Sequence, residues 1–259
     1  MPSWALFGLI LVIGMLTTEL GSFFGRRKFN SGQKVAEAPL GTAVSAVLGL
    51  LAFMLGFTFS ITAARFSERK GLVISHANAI GVTYLRAGLL PEKQKTAVRK
   101  LLSEYTDIML KLQQEGEIEK MLDRREAIHT ALWEQTVSLE KEDLDSEIRS
   151  LFISSVNEII QLSEERKTVG LIFMIPNALW NALFLLMAMS MFAFGYQTGI
   201  NGSRHTMRFP LLPVAFGLVI VLIADMDSIG FGRFQVSQEP IKNLQKMIRK
   251  TSPENQPER

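Results

Sequence analysis

Uncharged apolar runs alternate with polar stretches along this chain, and their lengths set the expected elements. Leu40 to Ala64 holds no charged side chain and exceeds the roughly 20 helical residues that cross a bilayer core of about 30 Å. Beyond Arg65 the chain turns polar without a proline before Pro91, so the same helix is expected to run on out of the membrane. Ser3 to Gly25 forms a first span, followed by Arg26, Arg27 and Lys28. It has neither the leading positive charge nor the small-residue cleavage site of a signal peptide and is expected to remain as a span. Val169 to Gly195 is a third, and Pro210 to Ala224 a short fourth with Pro210 and Pro213 in its opening turn.

Between the second and third runs the spacing becomes amphipathic. Val98, Leu101, Leu102, Tyr105, Ile108, Met109 and Leu112 repeat at helical intervals within Pro91–Glu115. Gly116 is the expected break; Glu117–Leu139 and Asp143–Lys167 follow as two more one-faced helices. No segment there has the period of two that marks strands. The fold class is therefore all-α: an integral membrane protein with four transmembrane helices and a helical soluble domain between the second and third. The divisions expected are a first transmembrane hairpin at 1–64, the soluble helical domain at 65–168, a second hairpin at 169–234 and a basic tail at 235–259. That tail carries Lys242, Lys246, Arg249 and Lys250 and ends in a Ser-Pro-Glu-Asn-Gln-Pro run expected to be disordered.

Charge narrows the partners. The chain carries a net charge of +3, yet Arg65 to Lys167 holds 16 Lys and Arg against 18 Asp and Glu. The basic excess thus flanks the spans, and no basic face suits nucleic acid. There is no cysteine, which excludes disulfides, thiolate catalysis and Cys-ligated zinc. His76, His129 and His205 lack metal-ligand spacing, and neither a phosphate-binding glycine loop, a His-Glu-x-x-His nor a Gly-x-Ser-x-Gly occurs. No cofactor, no metal and no enzymatic activity are expected. The expected partners are the lipid bilayer, further copies of the chain and inorganic ions. Arg26, Arg27 and Lys28 argue for placing the C-terminal end of the first span in the cytoplasm. Arg65, Arg69, Lys70, Arg166, Lys167 and the tail argue for placing both termini and the soluble domain there, and this second orientation is adopted.

A helix advances about 100° per residue, which puts Thr42, Ser45, Gly49, Phe53, Gly56, Ser60, Ala64, Ser67, Gly71, Ser75 and Asn78 on one uncharged side of the second helix. Two uses fit. Copies of this helix could surround a pore wetted by Ser60 and Ser67 and constricted by Phe53, Phe57 and Ile61; or the small residues could simply pack against neighbouring helices. Asp225 and Asp227, at the end of the short fourth run, suit an ion site or a buried ion pair with Arg65 or Arg233; they equally suit a span that stops at Ala224 and leaves both in the headgroup layer. They lie roughly 200° apart on a helix, which disfavours a proton-sharing protease pair. Asn177 and Asn181 share one face of the third span and could line a polar path or bond a neighbouring helix. His76 and Asn78 could sense pH or a ligand, or serve as interface residues.

Several stretches resemble the bestrophin-like membrane proteins of bacteria and plastids: Gly56-Phe57-Thr58-Phe59-Ser60, Ala64-Arg65-Phe66, and His76 through Arg86. Glu19-Leu20-Gly21 with Gly25-Arg26-Arg27, Ile175-Pro176-Asn177-Ala178-Leu179-Trp180, Asp225-Met226-Asp227 and Val236-Ser237-Gln238-Glu239-Pro240 agree with the same pattern. Ser228-Ile229 stand where that family usually has Arg-Pro. The resemblance implies four spans with a helical domain inserted between the second and third, in the bacterial inner membrane. It further implies a homo-oligomeric, for instance pentameric, ion channel whose second helix lines the pore with Phe53, Phe57 and Ile61 at the neck. A membrane-anchored helical sensor or scaffold without transport is the alternative that the residues leave open.

Overall fold

The structure, a computed structural model, describes residues 2–31, 37–111, 118–172, 174–201, 210–228 and 234–251. Gly116, Ile229, Arg233 and the terminal 252–259 run lie outside the described residues. Every regular element among the described residues is helical. The chain divides into two compact units, residues 1–66 with 174–235 and residues 67–173 with 236–259.

The first unit contains α1 (Ser3–Asn30), the opening part of α2 (Glu37–Arg86), α6 (Asn177–Ile200) and α7 (Leu211–Asp227). Its core gathers Ile10, Leu51, Leu55, Leu183, Met187, Met191, Ile220 and Ile223. Among the described residues three helices, Ser3–Asn30, Pro39–Leu89 and Asn177–Ile200, are long and apolar enough to cross a membrane. With 17 residues, α7 spans about 25 Å, just under a hydrocarbon core. The third apolar helix starts at Asn177, later than the expected Val169. Thr168–Ile172 is a π turn, and Pro176 takes the cap position in an extended conformation, since proline cannot donate to a preceding turn and keeps its predecessor out of helical geometry.

Glycine sets the closest contact of this unit. Gly21 and Gly25 on α1 meet Gly195 and Gly199 on α6. A Cβ on Gly21 would run into the carbonyl of Phe192, on Gly25 into Tyr196, on Gly195 into Thr18 and on Gly199 into Ser22. Both helices thus carry the Gly-x-x-x-Gly spacing that lets backbones touch in lipid.

The second unit holds the rest of α2, α3 (Glu92–Lys111), α4 (Ile118–Ser138), α5 (Ser146–Lys167) and α8 (Glu239–Thr251). Asp145 starts α5 by accepting the Glu147 amide at 2.7 Å. Val98, Leu102, Tyr105 and Met109 of α3 point into one core with Ile80 and Tyr84 of α2, Ile128 and Leu132 of α4, and Phe152, Val156 and Ile159 of α5. Much of the expected basic tail is helix α8: Ile241, Leu244 and Ile248 enter this core, while Lys242, Lys246, Arg249 and Lys250 stay exposed. Three apolar residues at helical spacing outweigh the charges around them.

Candidate functional site

Within the first unit α2 has two unlike sides. Val44, Leu51, Leu55, Thr58 and Thr62 are buried, and the two threonine hydroxyls donate back to the carbonyls of Met54 and Thr58 at 2.7 and 2.8 Å. On the other side Thr42, Ser45, Gly49, Gly56, Ser60 and Ala64 are exposed, with Phe53 68% and Phe57 53% accessible and Ile61 half-buried. Among the described residues nothing lies within 4 Å of a Cβ placed on Gly49 or Gly56. The contrast with Gly21 and Gly195 is decisive: those glycines of α1 and α6 close a contact inside the chain, whereas Gly49 and Gly56 of α2 close none among the described residues. Phe53, Phe57 and Ile61 are spaced by about 6 Å along the axis, one helical turn apart. In the second unit's part of α2, Ser67 and Asn78 are likewise exposed.

The two carboxylates in the last turn of α7 are buried, Asp225 at 7% and Asp227 at 9% exposure. Ser3 Oγ donates to Asp225 Oδ1. Both Asp227 oxygens accept the Ile175 amide, at 3.2 and 3.3 Å. That amide sits in the non-helical segment ahead of Pro176, where no helical carbonyl reaches it, so the carboxylate supplies the acceptor that a buried N–H requires. Asp225 and Asp227 therefore fasten the end of α7 to the starts of α1 and α6. Replacing Asp227 by Ala is expected to cost about 1–3 kcal/mol by leaving the amide unsatisfied, and Asp227→Asn, which keeps a carbonyl, less; thermal unfolding of the purified protein measures both. Arg65 is half-buried on α2. Asn177 and Asn181 are both exposed at the start of α6.

His76 and Asn78, neighbours in sequence, part company in the fold. His76 is 2% exposed at the centre of the second unit, with Nε2 at 3.2 Å from Tyr105 Oη and Nδ1 at 3.1 Å from Arg166 Nη1. A guanidinium only donates; His76 Nδ1 must accept, and the ring proton sits on Nε2, facing the phenol. Tyr105 Oη is also 3.0 Å from His129 Nε2. Burial, with Arg125 second, holds His129 below the usual histidine range, and burial pushes the Tyr105 phenol up, so both are neutral at pH 7. Arg125 is 7% exposed; its Nε and Nη2 make no hydrogen bond, and Nη2 stands 3.8 Å from Glu164 Oε1. The sequence offered a signal for this cluster: Arg125 and His129 fall on the same helical register as Met121 and Leu132, and Arg166 follows Ile159 and Ser163. Charged residues on an apolar stripe mark buried polar centres.

A family model described as Bestrophin-like domain matches residues 10–241. No curated protein matches the chain. Among solved structures, a bacterial bestrophin homologue from Klebsiella pneumoniae carrying a leucine-to-threonine substitution superposes with a TM-score of 0.66 at 15% identity, covering 93% of this chain and 96% of that one. The same bacterial homologue solved with zinc phasing gives 0.65 at 15% identity over 93% and 95%. A membrane protein with a proline-to-alanine substitution gives 0.64 at 17% identity over 93% and 95%. At these identities the likeness establishes the fold.

Proposed function

Because the chain belongs to the Bestrophin-like family, we propose that it is a homo-oligomeric ion channel, and not an enzyme, whose pore is lined by α2. The family and the three long apolar helices make it an integral membrane protein; in this reading α7 is the fourth span, and the helices between the second and third spans lie in the cytoplasm of a bacterial inner membrane with both termini. The observation that carries the proposal is the exposed, uncharged side of α2. Among the described residues Ser45, Gly49, Phe53, Gly56, Phe57 and Ser60 lie exposed along it, and nothing comes within 4 Å of a Cβ at Gly49 or Gly56. A lipid-facing helix has no need of a row of serine and glycine, while a ring of copies around an axis uses both: small polar residues leave room for water, and Phe53, Phe57 and Ile61 form the hydrophobic constriction. Ser60 and Ser67 are the wetted wall. Asp225 and Asp227 hold helices in place and do not line the path.

The absence of native cysteine makes the test clean. Ser60→Cys is expected to react with a charged, water-soluble thiol reagent and to lose current on modification. Thr58→Cys, on the buried side, is expected to resist both. Equal rates at the two positions, or modification of Ser60→Cys with no change in current, would remove α2 from the pore.

A further inference from the structure

Among the described residues the second unit holds the buried Arg125 and the half-buried Arg166 and no buried acid to match them. Arg125 has been taken out of water, with Nε and Nη2 lacking hydrogen-bond partners. Its nearest carboxylate, Glu164, is too far to bond at 3.8 Å and half in water, its side chain 52% exposed. Arg166, itself under the repulsion of Arg125, bonds the imidazole of His76 in place of an acid. Ser163, 1% exposed, turns its hydroxyl to the Tyr105 oxygen and so is engaged within the same cluster. Buried charge is ordinarily paired and fully bonded, and what this group offers is donors: the unbonded Nε and Nη2 of Arg125, with a second guanidinium, that of Arg166, acting on it. Forked guanidinium donors match the oxygens of a tetrahedral anion.

We propose that Arg125, with Arg166 beside it, binds a small free oxyanion of the phosphate or sulfate type inside the helical unit. Glu164 competes with it for Arg125 from the solvent side and turns aside when the ion enters. The site is independent of the channel reading, and neither stands or falls with the other.

Equilibrium dialysis of the full-length protein in detergent against radiolabelled inorganic phosphate, at constant ionic strength set with chloride, tests this. Saturable binding of one phosphate per chain, displaced by sulfate and not by chloride, is expected. Arg125→Gln should weaken it about tenfold or more, as loss of a charge-assisted fork implies. Should that variant fail to fold, Glu164→Gln decides: removing the competing carboxylate is expected to tighten binding several-fold, a direction that damage to the fold does not produce. No saturable binding by the native chain, unchanged affinity in Arg125→Gln, or unchanged or weaker affinity in Glu164→Gln overturns the proposal. Tighter binding of glycerol phosphate than of inorganic phosphate overturns the assignment to a free ion in favour of a lipid headgroup.

Discussion

Replacing Phe53 and Phe57 together by alanine is expected to raise the unitary current several-fold and to make the channel leak under conditions that hold the native protein shut. The rings are 68% and 53% exposed in the single chain, so their removal takes little from its own core. In a ring of copies every subunit loses two aromatic side chains from the narrowest part of the path. A hydrophobic constriction gates because water leaves it spontaneously when it is narrow and apolar enough; alanine widens it and keeps it wet. Phe59→Ala is the matched control. Phe59 is 36% exposed but lies about 200° around the helix from Phe57, and its loss should leave the conductance unchanged. Single-channel recording of the three proteins checks this. If the spans served only as an anchor, Phe53→Ala with Phe57→Ala should change stability at most and introduce no current.

The second large effect is expected at the α1–α6 crossing. Gly21→Ala and Gly195→Ala each drive a methyl group into a backbone carbonyl of the other helix, that of Phe192 and that of Thr18. A flexible side chain can move from such a clash, but a helical carbonyl moves only with its helix. Overpacking of this kind costs about 1–3 kcal/mol, here at the upper end, and the double variant should lose most of its folded, monodisperse material in size-exclusion chromatography. Gly49→Ala and Gly56→Ala are the counterparts on α2. Among the described residues nothing lies within 4 Å of a Cβ at either position, so the folded subunit should tolerate both; any loss they cause should appear in assembly or current.

Those two sets of glycines mark how far the sequence could be read. Both Gly-x-x-x-Gly pairs, Gly21 with Gly25 and Gly195 with Gly199, are visible as spacings, but a spacing does not say which helix it meets. The long second helix and the three one-faced helices of the second unit were legible because their patterns are local: Val98, Leu102, Tyr105 and Met109 repeat on one face and are buried on one face. The start of α6 was misplaced because hydropathy continues smoothly through Ile172, whereas Pro176 breaks the backbone. Asp227 could be singled out as a carboxylate at the end of an apolar run, yet its partner is the main-chain amide of Ile175, and backbone donors leave no trace in residue identity. Tyr105 read as one more apolar stripe position; its hydroxyl, between His76 and His129, is a property of three helices at once.

The central claim is that copies of α2 enclose a conducting path. Current through the purified native protein in a planar bilayer, under a potassium chloride gradient, tests it most directly. Discrete unitary events with a reversal potential away from zero are predicted, its sign giving the preferred ion. A silent bilayer over a range of voltage, pH and calcium, with insertion of the protein shown independently, would contradict the account and leave a membrane-anchored helical sensor or scaffold in its place.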